Sequence, residues 1–564
     1  MNQTPSRPAF RPSIAARHRP RTLAGRYRHL LLWTDRHTAQ VEAAAEACVD
    51  MPDVEAGLVR LFATLDLAYA VVAIEHDGGM VTLVAGHKNL FPLYFAHGAD
   101  GLAIRDTLPW AASDERLRHL DQDGFADFIA RAIVSGPYEL SVHPITLDRR
   151  WQALPPGQRL ALDRNGRVLR SGIADRVFEG IHDAVPPVAQ AVDELRAALD
   201  RHLLRLAAHG LVASEFSGGI DSSIVRARCL ARIAPYYRGG VTCRFPYVEF
   251  ARESAMQDAV LAHAPGPVAI IPHDGFLPFA AMSDVPWHDA PTLASTAWGA
   301  FSAAANAARS AGAHILVNGH GGDTLFRWHP RQAIQYTLPA DLARWLTPRT
   351  SRQVKERAHA IAEGLNAASG EGCGGLWHPG MFDPCHPTAM VRAGVAGMDY
   401  TSGLASREVL RAAARLWLAD PPCDASAQKP FAHAAFGADL PDALWRRPGK
   451  VDHLGIVYRG AIAARHDILR LSRRSADLLD ALDLRRGVFQ RSAEAATGGI
   501  DAGNPMFSIV LAVLRWADQS RPPARAGVPT RHDNDFYTAT FEADGGDNAR
   551  TVSRTTLFHS TIED

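Results

Sequence analysis

The sequence predicts an α/β chain in two folded parts, an α+β domain built on sheets followed by a doubly wound domain around a parallel sheet. Three observations carry this reading. The chain has 564 residues, 47% apolar and 21% charged, too long for one ordinary domain and too apolar for a disordered polymer. From about Tyr27 to Ile173 it reads as short strands joined by turn residues. From Val192 onward apolar strands alternate with Ala-rich helices, the texture of a parallel sheet covered on both faces.

Taken in order, residues 1–26 form a basic arm. Arg7, Arg11, Arg17, Arg19, Arg21 and Arg26 lie in it, and no acidic residue occurs before Asp35. Without an apolar core segment it is not a secretory signal; a frayed arm is expected, with a transit peptide as the alternative. Residues 27–175 form the first domain. Ala68–Glu75, the turn His76-Asp77-Gly78-Gly79 and Met80–Gly86 predict a hairpin. Leu93–Ala96 and Leu102–Ile104 continue the strand rhythm, and Pro155-Pro156-Gly157 breaks the chain before the strand Gln158–Leu162.

After a connector near Ala174–Pro187 the period changes, and residues 186–518 form the second domain. Leu195, Leu199, Leu203 and Leu206 place one apolar face on a helix over Val192–His209. Strands are expected at Leu211–Phe216, Gly240–Phe245, Val268–Pro272 and Ile315–Asn318, with helices to Ile233, to His263 and over Trp298–Gly312. Residues 519–564, polar and rich in Gly and Asp after Arg521-Pro522-Pro523, are expected to be a flexible tail.

Composition excludes several functions. Lys+Arg and Asp+Glu are 60 each, which argues against a nucleic-acid-coating protein. Six scattered cysteines with no C-x-x-C pair argue against a disulfide scaffold and for a reducing, cytoplasmic setting. The longest apolar runs fall short of the ~20 residues of a membrane span. Cys373, His378, Cys385 and His386 fall close together, but their spacing matches no common zinc module.

The strongest chemical signal is Phe216-Ser217-Gly218-Gly219-Ile220-Asp221-Ser222-Ser223, between an apolar strand and an amphipathic helix. Two glycines let backbone approach a ligand, and the helix start offers N–H groups and a positive dipole end. Ser217, Ser222 and Ser223 add hydroxyls, so the string suits a phosphate chain. Asp221 belongs in such a site if Mg²⁺ stands between it and the phosphates. A Walker A loop is absent, because Gly449-Lys450 is followed by Val451. A nucleophile elbow around Ser217 fails, because Glu215 stands where a glycine is needed.

This string resembles the pyrophosphate loop of the ATP-pyrophosphatases, and the chain over roughly residues 27–516 resembles the asparagine-synthetase superfamily. About a hundred residues on, Asn318-Gly319-His320-Gly321-Gly322-Asp323-Thr324-Leu325-Phe326 resembles that superfamily's second loop. Asparagine synthetases carry Glu where His320 stands; Gly-His-Gly-Gly-Asp instead resembles the lasso-peptide macrocyclases. The resemblance implies ATP binding by Ser217, Gly218, Gly219, Asp221, Ser222, Ser223, Gly319, Gly321 and Gly322, with Asp221 and Asp323 as ligands of Mg²⁺. It also implies a catalytic lysine after a Trp/Arg pair. In Trp445-Arg446-Arg447-Pro448-Gly449-Lys450 the candidate is Lys450, displaced from its asparagine-synthetase spacing. Glu253 matches an acidic family position; a surface carboxylate is the alternative for it and for Glu249.

The N-terminal part resembles the superfamily's Ntn-type glutamine-amidotransferase domain through Asp66–Glu75, Gly86–Leu93 and Pro155-Pro156-Gly157. That class uses an N-terminal cysteine, whereas residue 2 is Asn2 and the nearest cysteine is Cys48. Glutaminase chemistry is therefore expected to be absent. The resemblance implies a lasso peptide cyclase. It would adenylate an Asp or Glu side chain of a precursor peptide and join it to the N-terminal amine, releasing AMP and diphosphate. A leader-peptide protease is the implied partner, with no nucleic acid and no membrane. The alternative is a β-lactam synthetase-like or ammonia-dependent asparagine synthetase-like ligase.

Overall fold

The computed structural model describes residues 13–518 except 17–19, 27, 35–38, 52, 66–68, 76–78, 87–90, 99–100, 107, 109–118, 136–145, 156, 164, 174–176, 286–290, 328, 331–332, 369–397, 422–426 and 448–453; it also describes 537–539. Lys450, the cluster Cys373, His378, Cys385 and His386, the turn at His76-Asp77-Gly78, most of the basic arm and nearly all of the tail lie outside the described residues.

The chain divides into two compact units. Among the described residues the first holds β1 (Ser13–Ala16), β2 (Arg21–Ala24), β3 (Arg28–Thr34), β4 (Tyr69–Glu75), β5 (Met80–Ala85), β6 (Tyr94–Gly98), β7 (Gly101–Arg105), β8 (Gln152–Ala153), β9 (Gln158–Asp163) and β10 (Val168–Ile173), together with one strand late in the chain. Six of them form the sheet β10-β9-β5-β4-β3-β2. The expected hairpin is its β4–β5 pair, antiparallel, with Ala70 opposite Ala85. β1, β7, β6 and β8 join a second sheet, completed by β16 (Tyr537–Ala539) beside β1.

Period-two patterning explains why the six-stranded sheet is apolar on both faces. Leu31, Trp33, Val72, Ile74, Val81 and Leu83 point to a core shared with Phe95, Leu102 and Ile104 of the second sheet. Leu30, Leu32, Tyr69, Val71 and Val84 point the other way, onto α1 (Ala39–Val49) and α2 (Val54–Leu65). Neither helix was anticipated from the sequence. The unit is a helix layer on two stacked sheets.

The second unit begins with α3 (Gln122–Ser135), although that helix falls inside the stretch 27–175. Asp123 of α3 accepts from Gln353 at 3.2 Å and pairs with Arg357 at 3.3 Å, both on the helix Pro348–Ala368. At the centre of the unit lies a five-stranded sheet: β11 (Val212–Glu215), β12 (Tyr237–Cys243), β13 (Val268–Ile271), β14 (Ile315–Asn318) and β15 (Asp399–Ser402). All neighbours are parallel and the spatial order is β13-β12-β11-β14-β15. The chain winds from β11 to one side through β13, then returns to β14 and runs out the other way. That is the doubly wound arrangement the alternation predicted, with a fifth strand, β15, that it had not included.

Helices cover both faces. α4 (Val188–His209) and α5 (Ile220–Arg232) share a core with Val212, Ile315 and Val317. On the other face Ala213, Val241 and Leu316 pack with Trp298, Ala304 and Ala308 of α7 (Trp298–Ser310). α6 (Ala251–His263) follows β12, and α8 (Gly322–Arg327) follows β14. In such sheets ligands sit outside the strands' carboxyl ends, where the winding reverses. Here that point is the gap between β11 and β14. Among the described residues no helix is long and apolar enough to cross a membrane.

Candidate active site

Both glycine-rich loops leave the sheet at that gap. β11 ends at Glu215, and Phe216 to Gly219 lead into α5; β14 ends at Asn318, and Gly319 to Gly321 lead into α8. Parallel register, with Ser214 opposite Val317, fixes the two loops side by side. Gly218 has φ +79°, and a Cβ there would lie 2.8 Å from Gln257 Cγ, so the turn requires glycine. A Cβ on Gly319 would lie 2.5 Å from the Ser222 backbone nitrogen, and one on Gly322 would strike the Asp221 carboxylate. The glycines are what let the loops touch.

Within the first loop the Ser217 N–H donates to Ser222 Oγ at 3.2 Å, and Gly219 N–H donates to Ser217 Oγ at 3.2 Å. Gln257 of α6 braces the strand ends by donating to Thr242 Oγ1 at 3.1 Å and to the Cys243 carbonyl at 3.2 Å. The start of α5 carries no side-chain cap, which leaves its positive end facing the loop. Ser223, expected to contact nucleotide, is instead buried with its hydroxyl unbonded among the described residues. It sits one position past Ser222 and turns into the core.

Asp221 and Asp323 meet at one point. The Lys429 ammonium donates to both Asp221 oxygens at 2.6 Å and stands 2.8 Å from Asp323 Oδ1. The lysine side chain is 1% exposed, against 15% for Asp221 and 46% for Asp323. Two carboxylates this close need a cation between them, and the chain supplies one from Lys429. Among the described residues the cation at the paired aspartates is Lys429; the candidate Lys450 lies outside them. The donor set also fits Mg²⁺, since both groups are hard oxygen donors already gathered about a single positive charge.

Lys429 precedes the helix Pro430–Phe436 and is fixed by its neighbour. The Gln428 N–H donates to the Trp445 carbonyl at 2.8 Å, and its side-chain oxygen accepts from Arg447 Nε at 3.0 Å. The Trp445-Arg446-Arg447 segment thus positions the lysine although it does not contain it. One sequence signal could have marked Lys429. Only four of the 60 Lys and Arg residues are lysine: Lys88, Lys355, Lys429 and Lys450. In a chain that almost always uses Arg, each lysine is a place to look for a compact ammonium, although Lys355 is simply exposed on its helix.

Beside the loops opens a cavity of about 940 Å³, mostly apolar. Asp221, Ser222, Gly319 and His320 line it, with Phe245, Phe276, Ala300, Phe301, Ile456 and Ile509 among its apolar walls. Glu253 also lines it, 3.6 Å from the Arg447 guanidinium, whereas Glu249 is a surface residue paired with Arg459 at 3.1 Å. Of the two, the structure thus places Glu253, the residue that matches the acidic family position, at the cavity and Glu249 at the surface. Gly218, Gly321, Gly322 and Asp323 shape the loops but are not among the lining residues.

Glu215 and Tyr400 line the same cavity. The Tyr400 hydroxyl donates to Glu215 Oε1 at 2.8 Å. Burial pushes the Glu215 carboxyl up to about 7, against a smaller lowering by the Tyr400 hydrogen bond. Burial, and then the charge of Glu215, push the Tyr400 phenol up. On the second loop the His320 N–H donates to Asn318 Oδ1 at 2.9 Å, and Ser402 Oγ donates to the His320 carbonyl at 2.7 Å.

Residues 192–372 match the family model for asparagine synthase. This segment is similar to asparagine synthase. The match covers about a third of the chain and includes both glycine loops. No curated protein matches the chain.

Proposed function

We propose that this protein is an ATP-dependent peptide macrolactam synthetase of the lasso-cyclase kind. It would activate an Asp or Glu side chain of a precursor peptide as an acyl-adenylate and join it to the peptide's own N-terminal amine. The observation that carries this is the convergence of Asp221 and Asp323, from loops on adjacent parallel strands, upon one cation beside a large apolar cavity. That arrangement suits binding a nucleotide's phosphates next to an organic acid.

The chain's own groups divide the work. Ser217, Gly218, Gly219 and Ser222, with the open start of α5, hold the diphosphate part of ATP, and Gly319, Gly321 and Gly322 keep the second loop against the first. Asp221 and Asp323 would hold Mg²⁺, which supplies charge neutralisation to the phosphates when bound. Lys429 adds a fixed positive charge where charge builds on the leaving diphosphate, and removing such a group typically costs ~100- to 1000-fold. Lys450 and Glu253 remain candidates for orienting the acyl group. The apolar walls exclude water, which would otherwise hydrolyse the adenylate.

Several observations favour a peptide's own amine over ammonia. His320 replaces the Glu of asparagine synthetases. Cys48 is buried in α1, and burial raises its thiol, so it offers no glutaminase nucleophile. An α-amine, with a pKa of ~7.7–8, is partly neutral near pH 7. We take the first unit to be a degenerate amidotransferase-type domain and a leader-peptide protease to be the partner. The test is to incubate the protein with ATP, Mg²⁺, core peptide and the protease. Loss of one water from the peptide together with AMP and diphosphate is expected; unchanged peptide, or ADP as product, would refute the proposal.

A further inference from the structure

Four acids contribute to the site just described, and three have a cation. Asp221 and Asp323 share Lys429, and Glu253 faces Arg447. Glu215 has none among the described residues; its hydrogen bond is to the neutral Tyr400 hydroxyl. A carboxylate sheltered from water without a cation is unfavourable, and this one opens onto the cavity instead of being sealed in the core.

Its position is built. Glu215 ends β11, two residues before Ser217 of the phosphate loop. Tyr400 stands two strands away on β15, opposite Leu316 of the intervening β14. Its ring meets Phe301 edge-on at 5.9 Å, and Asn318 also hydrogen-bonds its hydroxyl. Asn318 in turn accepts from the His320 N–H. The acid is thus held at the carboxyl edge of the sheet, on the cavity side, by groups from the two neighbouring strands β14 and β15.

Resting on the function proposed above, we infer that Glu215, oriented by Tyr400, receives the amino group of the attacking nucleophile and takes its proton. The amine enters as the missing basic partner of the carboxylate. Its nitrogen bonds to the acyl carbon, the bond from that carbon to the phosphate oxygen breaks, and AMP leaves with the electron pair. The N–H proton passes to Glu215, which returns it to solvent before the next turnover. A carboxyl poised near neutrality suits this role, because a general base works best with a pKa close to the working pH. Tyr400 stays protonated and is a positioning residue. The cavity's other charged or titratable groups are His320, Asp221, Glu253, Arg447 and the Cys243 thiol, which burial pushes up.

The two half-reactions separate this inference from the function it rests on. ATP–diphosphate exchange reads carboxylate activation, amide formation reads both steps, and hydroxylamine traps the adenylate with a small nucleophile that needs no base. Glu215→Gln should keep exchange and hydroxamate formation within about threefold of wild type and lower amide formation by ~100-fold or more. Tyr400→Phe keeps the ring packing and removes one donor to the carboxylate, so the acidic limb of the amide-forming rate should move to higher pH. Equal losses of exchange and amide formation in Glu215→Gln would mean a structural role and overturn the inference, as would unchanged amide formation. Absence of exchange in the wild-type protein would instead overturn the proposed function itself.

Discussion

The cavity has two acid centres of opposite design. At its rim, Asp221 and Asp323 share a buried lysine, and Arg327 stands 3.5 Å from Asp323 as a second cation. At the sheet edge, Glu215 has a phenol and, among the described residues, no cation, and burial pushes its carboxyl up to about 7. The first is suited to keep its charge while phosphates come and go, and the second to change charge during a turnover. A site that must bind a polyanion and also manage a proton needs both.

The rim centre should give the largest effects. Asp221→Asn removes half of the carboxylate pair and should reduce ATP–diphosphate exchange on the order of 1000-fold, measured at saturating ATP and peptide. Lys429→Met should cost exchange at least ~100-fold and lower the melting temperature, because two neighbouring carboxylates lose their shared cation. Lys429→Arg should not restore the activity, since a planar guanidinium cannot occupy a pocket in which the ammonium is 1% exposed, hydrogen-bonded to both Asp221 oxygens and 2.8 Å from Asp323 Oδ1. Full activity of Lys429→Arg would show that only the charge matters and would erase the contrast drawn here.

Much of the rim centre was legible beforehand. The Ser-Gly-Gly-x-Asp and Gly-Gly-Asp strings announce close backbone approach plus a carboxylate, and the strand Ile315–Asn318 lies where its apolar run placed it. Lys429 was not legible from motif, because a single lysine before Pro430 carries no spacing signal; its rarity in an arginine-rich chain was the available clue. Glu215 was noticed only as the residue that blocks a nucleophile elbow. Its partner Tyr400 lies on a four-residue strand, Asp-Tyr-Thr-Ser, too short and polar to read as strand. The acid and the phenol are 185 residues apart in sequence, so only sheet order brings them together.

The sheet-edge centre should give smaller, pH-dependent effects. Because the folded protein raises the Glu215 carboxyl from 4.5 to about 7, the native state holds a proton that the unfolded chain has released between those values. Stability from this group is therefore present below the lower value and is lost as pH rises through about 7. Glu215→Gln, neutral throughout, should show a flatter profile of melting temperature against pH from 5 to 8; a parallel profile would mean the carboxyl does not titrate there. Smallest of all, Glu249→Gln at the surface pair with Arg459 should leave exchange within about twofold, whereas a larger loss would bring that carboxylate into the site.

One experiment bears on the rim centre most directly: ATP–diphosphate exchange with a core peptide whose N-terminal amine is acetylated, so that activation can proceed but ring closure cannot. Label should pass from diphosphate into ATP only when the peptide carries its acceptor Asp or Glu, and Asp323→Asn should abolish that transfer. Exchange that persists undiminished in Asp323→Asn, or peptide-dependent release of ADP in its place, would contradict a shared cation at Asp221 and Asp323 as the seat of carboxylate activation.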